Sequence, residues 1–219
     1  MLQLTTLNFL QNLSLHNERD WFLIHKEDYE LAKLDFSQLI GELIQEIGKF
    51  QDLGNFGVKD SVKRIYRDVR FSKNKKPYKD HLSAGIGIKG EIDYYLHIQP
   101  GNQSFLGGGM WAATSDQLAK YRQEIDYNAA EIKHIIEEES FRAYFPHIEG
   151  EVLKTAPKGY PKDHPEIELL KRKELFFLHR YTDKEVMDQG FKENIIKGVQ
   201  ILKPYCDYMN YILNASNEA

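Results

Sequence analysis

The stretch LSAGIGIKGEIDYYLHIQ, Leu82–Gln99, alternates its apolar residues around a central Gly90. A period of two places Tyr94, Leu96 and Ile98 on one face of a strand. Residues 82–89 alternate in the same way, and Gly90 supplies the turn of an antiparallel hairpin. The next segment, QSFLGGGMW (103–111), reads as a third strand that three consecutive glycines weaken. Residues 62–71 also alternate, with Ile65, Val69 and Phe71 on one side, and KELFFLHRY (173–181) is a short, dense strand.

Helical spacing surrounds this meander. Leu7, Leu10 and Leu13 recur at intervals of three. Asn17 is placed as an N-cap, with Asp20 three residues on, for a long or broken helix over 18–50. Its face is Phe36, Leu39, Ile40, Leu43, Ile44 and Ile47. Thr114 and Gln117 form a capping box for a helix carrying Leu118, Tyr121, Ile125 and Ile132, with a break expected near Tyr127–Asn128. Residues 146–165 hold four of the seven prolines and read as a long loop or lid. A last helix over 184–213 meets Pro204 as a kink or break. Strands clustered between helices predict an α+β fold: a central antiparallel sheet of about four to five strands, packed by N-terminal, middle and C-terminal helices.

The 219 residues suit a single domain, 1–219. The one cysteine, Cys206, makes no intrachain disulfide and fits a reducing cytoplasm; it reads as a buried structural thiol. The N-terminus resembles an amphipathic helix rather than a signal peptide, and no run of ~18 apolar residues suggests a membrane span. A cytoplasmic location with no membrane partner is the expectation.

Charge is unevenly distributed. The whole chain carries a net −4, yet residues 59–81 hold nine Lys/Arg against three Asp, a net of +6. Within them lies RIYRDVRFSKNKKPYKDH, Arg64–His81. On a strand, Arg67 falls among the apolar side chains, where a guanidinium is costly unless something anionic faces it. On a helix, Arg64, Arg67 and Arg70 stack at intervals of three. Either way guanidiniums converge, and they converge on a protein carboxylate or on a ligand's phosphate or carboxylate. Lys73, Lys75, Lys76 and Lys79 follow on a loop; Tyr78 adds a ring and a hydroxyl, and His81 titrates near neutral pH.

These residues resemble the signature of the bacterial family catalogued as domain of unknown function 2461: an Arg, then Arg-Asp (Arg67-Asp68), Arg-Phe-Ser (Arg70–Ser72) and Lys-x-Pro-Tyr-Lys (Lys75–Lys79). Further pieces follow in order: Trp21-Phe22 and Tyr29 before the signature, then Tyr95–His97, Gly107–Trp111, Arg122, Gly159-Tyr160, Asp163–Pro165 and Leu169–Lys173. The resemblance covers nearly the whole chain. It implies one domain of this length and names no reaction.

The favoured reading is a polar, positive pocket built by Arg64, Arg67, Arg70, Lys76, Tyr78 and Lys79, with Trp111 and Arg122 as neighbours. Its ligand is a small phosphate- or carboxylate-bearing molecule. If the protein is an enzyme, the arginines stabilise developing negative charge and His81 or Tyr78 moves the proton. Two rival readings stand beside it. In one, cations interleaved with Tyr66, Phe71 and Tyr78 bind nucleic acid. In the other, the arginines form an internal ion-pair network of a structural or partner-binding protein. Lys171–Lys173 either complement a helix end or extend the positive site. The glycine run could form an anion nest or simply pack tightly. No Gly-x-x-x-x-Gly-Lys-Ser/Thr, Gly-x-Ser-x-Gly, Cys-x-x-Cys or His-x-x-x-His occurs, so no cofactor and no metal are expected. His81 and His97 could meet across the hairpin, with Asp163-His164 joining them. The oligomeric state is left open.

Overall fold

A computed structural model describes residues 1–88 and 90–214. The alternating segments become β1 (Leu82–Ile86), β2 (Tyr94–Ile98) and β3 (Ser104–Met110), and the 173–181 segment becomes β5 (Leu175–Tyr181). A two-residue strand, β4 (Ile148–Glu149), interrupts the proline-rich stretch that reads as a loop. It pairs antiparallel with β5, Ile148 opposite Phe177. The five strands form one antiparallel sheet in the order β1-β2-β3-β5-β4, with helices at the N-terminus, in the middle and at the C-terminus. The fold is α+β, as the clustered strands require.

The N-terminal helices are α1 (Leu4–Leu15), α2 (Arg19–Ile24), α3 (Lys26–Ile47) and α4 (Val58–Ser61). The middle ones are α5 (Ser115–Glu137), α6 (Glu139–Tyr144) and α7 (Ile167–Leu170); α8 (Asp183–Val186) and α9 (Phe191–Asn214) follow β5. The chain groups into two compact units. No helix among the described residues is long and apolar enough to cross a membrane.

The first unit comprises Met1–Ile88, Tyr95–Leu106 and Arg180–Lys197. Its core is the heptad-like face of α3, with Phe36, Leu39, Ile40, Leu43 and Ile47 buried against Leu7, Leu10 and Leu13 of α1. Apolar burial on this scale is the main stabilising term of a domain. Asn17, expected to cap a helix, does not: Glu18 occupies the cap position of α2, and the Asn17 amide is used elsewhere.

The second unit takes the described residues of Lys89–Tyr94, Gly107–His179 and Gly198–Ala219. Here the glycine run of β3 is packed, not open as a nest. A Cβ on Gly107 would stand 2.6 Å from the Phe177 carbonyl oxygen, and one on Gly108 would meet Leu202 of α9 at 2.9 Å. Gly109 adds a φ of 130°, a region that side chains avoid. The strand can lie this close to β5 and α9 only without side chains. Thr114 caps α5 in a reciprocal box with Gln117, at 3.2 and 2.9 Å, and the helix breaks at Asn128 (φ −149°, ψ 69°). Helix α9 runs on through Pro204 rather than ending there.

Candidate anion-binding site

Residues 62–71 are extended but form no strand. The alternation expected to build one makes two isolated antiparallel bridges, Val62 with Ala84 and Tyr66 with Tyr78. The Lys63 amide donates to the Ser83 carbonyl, so the segment begins against the β1 edge. It then pairs with its own return arm: Arg67 N–H to Pro77 O at 2.9 Å and Lys79 N–H to Ile65 O at 2.8 Å. Those flanking bonds make Tyr66 and Tyr78 a non-hydrogen-bonded pair, the spacing that brings opposed side chains closest. Their rings lie 5.3 Å apart. The signature is therefore a ragged hairpin over 62–79, and of its expected apolar face only Ile65 is buried.

The N-terminal helices hold the root of this hairpin. Asn17 Nδ2 donates to Tyr78 O at 3.1 Å, and Tyr78 N–H donates to Asn17 Oδ1 at 3.0 Å. The Tyr78 ring stacks on Phe22 at 4.0 Å and 13°. Lys76 Nζ donates to Ser14 O at 3.1 Å, placing a cation on the last turn of α1, where the helix dipole favours it.

The cations divide by what they touch. Arg70 is engaged by Asp68 through Nε (3.0 Å) and Nη2 (2.7 Å), a two-point ion pair. That pairing draws the Asp68 carboxyl below its usual range. Arg67, half-buried, gives Nη1 to the Lys76 carbonyl at 3.2 Å, and Lys75 gives Nζ to the Val69 carbonyl at 3.0 Å. A carbonyl satisfies a donor without cancelling its charge. Arg64, Lys63 and Lys73 are exposed. Among the described residues of 62–79, Arg70 alone forms a salt bridge. By contrast Lys133, Lys171, Lys173, Lys192 and Lys203 all have carboxylate partners.

The consequence is visible at Lys79. Burial lowers its ammonium pKa first, and then the Arg64 and Lys63 charges push it further down. Tyr78, buried, is shifted upward, mainly by desolvation. Tyr78 is thus a held aromatic wall, and Lys63, a member of the cation group, was not singled out by sequence reasoning. Its only signal is its place within the 59–81 charge run.

His81 and His97 do meet, with ring centroids 4.1 Å apart. Burial and the His97 charge push the His81 imidazole down to about 4, against a weaker upward pull from Asp80, whose Oδ1 is 3.5 Å from Nδ1. His97 is lowered too, by burial, and its Nε2 bonds Gln99 Oε1 at 2.8 Å while Phe105 stacks at 4.7 Å. Both rings are neutral at pH 7, and His81, held down at about 4, is a weak base that has no proton to supply there. His164 bonds Asp126 instead, at 3.0 Å.

Trp111 and Arg122 belong to the second unit. Trp111 is 62% exposed, its ring edge-on to Phe176 at 5.6 Å. Arg122 Nε donates to the Leu170 carbonyl at 3.1 Å, beside Tyr121 Oη on Leu169 O, so both tie α5 to the end of α7. Lys171 and Lys173 face Glu168 and Glu151, and Arg172 bonds the Ile148 carbonyl. A groove of about 630 Å³ in this unit is lined by both signs of charge, including Asp126, Lys133, His134, Glu137 and Glu166. No three His, Cys, Asp or Glu side chains among the described residues come together so as to hold a metal ion.

A family model described as conserved hypothetical protein (DUF2461) matches residues 5–208. No curated protein and no solved structure matches the chain.

Proposed function

The chain belongs to the family of domain of unknown function 2461, and we propose that it binds a phosphate- or carboxylate-bearing ligand at the root of its basic hairpin. Lys63, Arg64 and Lys79 are the residues that take the anion. One observation carries this reading: Lys63, Arg64 and Lys79 crowd the root of the hairpin with no salt bridge among the described residues, and burial first, then the two like charges, depress the Lys79 ammonium. Crowded, partly desolvated cations are destabilising in the free protein, and an anion relieves them. Arg67, Arg70, Lys75 and Lys76 are engaged by Asp68 or by carbonyls, and they brace the hairpin.

The test is the melting temperature in a panel of inorganic phosphate, nucleoside monophosphates and dicarboxylates. A true ligand at a hundred times its Kd adds about 2.7 kcal/mol of stability, several degrees of melting temperature. Lys79→Met keeps the aliphatic stem and removes the charge. It should melt no lower than the wild type without ligand and lose the ligand-induced rise. A wild type that no anion stabilises refutes the proposal.

A further inference from the structure

The basic hairpin ends in a phenylalanine that the fold does not use. Phe71 is 96% exposed, and Tyr66 on the same arm is 53% exposed. A Phe side chain left in water forgoes roughly 2 kcal/mol of burial, so a ring this open is unexplained by packing. The Arg70 guanidinium lies 5.9 Å from its ring centroid. The same hairpin carries Arg64, Arg67, Lys73, Lys75 and Lys76, none of which forms a salt bridge among the described residues. The hairpin thus combines an open aromatic ring with several cations that no salt bridge engages.

We infer that the hairpin binds single-stranded nucleic acid, with phosphates along the cations and bases stacked on Phe71 and Tyr66. The inference rests on the anion site proposed above and names its ligand class. Single strands offer what this surface lacks: a repeating anion and unpaired π-faces. A duplex hides those faces within its own stack. An acidic peptide would answer the charge and leave the rings in water. The rest of the chain carries 20 Lys/Arg against 30 Asp/Glu, a net of −10, so a polyanion is confined to the hairpin.

Anisotropy of a labelled oligothymidylate tests this, with wild type, Phe71→Ala and Phe71→Trp. Phe71 is open to solvent, so neither variant is expected to disturb the fold. With three or four phosphates neutralised, log K should fall with log salt at a slope of about −2 to −3. Phe71→Ala should weaken binding about tenfold or more at an unchanged slope, and Phe71→Trp should restore it. Absent oligonucleotide binding at low salt overturns the inference. So does equal affinity for Phe71→Ala, for duplex DNA or for heparin, or binding to phosphatidylserine vesicles in place of the oligonucleotide. If inorganic phosphate raises the wild-type melting temperature while the oligonucleotide does not bind, the anion site stands and the nucleic-acid inference falls. If neither is seen, both fall.

Discussion

Asn17 and Tyr78 exchange two hydrogen bonds across 61 positions of chain, side-chain amide to backbone amide, at 3.1 and 3.0 Å. A carboxamide can do this because it carries a donor and an acceptor in one plane, as a peptide group does. It extends the hairpin's pairing by one rung and joins it to the N-terminal helices.

Asn17→Ala removes both bonds and leaves a buried amide and carbonyl of Tyr78 without partners. We expect a loss of about 2–3 kcal/mol in urea unfolding. Asn17→Asp keeps the acceptor and should cost less at low pH, where a protonated carboxyl can also donate. Limited trypsin digestion should cut both variants faster within 70–76 than the wild type.

Protonation should weaken the protein before general acid denaturation does. His81 and His97 both have folded pKa values below the usual 6.5, His81 at about 4. Between those limits the unfolded chain binds protons that the folded one refuses. The stabilisation is complete above pH 6.5 and is lost as pH falls towards 4. After discounting for partial exposure, His81 contributes roughly 2 kcal/mol. Urea midpoints from pH 4 to 8 should show the slope, and His97→Gln should flatten it.

Two glycines with positive φ should respond differently to alanine. At Gly109 the new Cβ would overlap the Leu175 carbonyl oxygen and sit 3.0 Å from the Tyr205 ring. Overpacking and strain then act together, and a loss of about 3 kcal/mol or more is expected. At Gly54 nothing lies within 4 Å, so Gly54→Ala should cost only the left-handed conformation, about 1–2 kcal/mol. Equal losses at the two sites would contradict the packing described for β3.

Cys206 is buried, and burial pushes its thiol well above the usual range. The reactive species is the thiolate. Ellman's reagent should therefore find no reactive thiol in the folded protein and one on unfolding in urea. A fast reaction under native conditions would contradict this packing.

Helices and strands with a buried face were legible in the sequence. The face of α3 and the Thr114–Gln117 box were both plain, because helix periodicity and capping are local. The 62–71 segment misled because alternation alone does not make a strand. Its Ile65 is 1% exposed but its Phe71 is 96% exposed, so the apolar side has a core at one end only. Asn17 misled because an Asn before an apolar run is a good cap, while its true partner lies far along the chain. For the site, the density of charge was in view and its accounting was not. Whether a cation is neutralised depends on Asp68 folding back two residues onto Arg70, and on carbonyls that no residue name discloses.

The hairpin's attachments also settle where the chain can be lengthened. Asn17, Phe22 and Ser14 grip Tyr78 and Lys76, while Lys73 and Asn74 lie outside that grip, exposed. A peptide epitope or a fluorescent-protein domain grafted between Lys73 and Asn74 would meet no core side chain, and the cost of the longer loop grows only with the logarithm of its length. The tip of the signature is thus a natural point of entry for a reporter, placed where any partner of the hairpin would have to displace it.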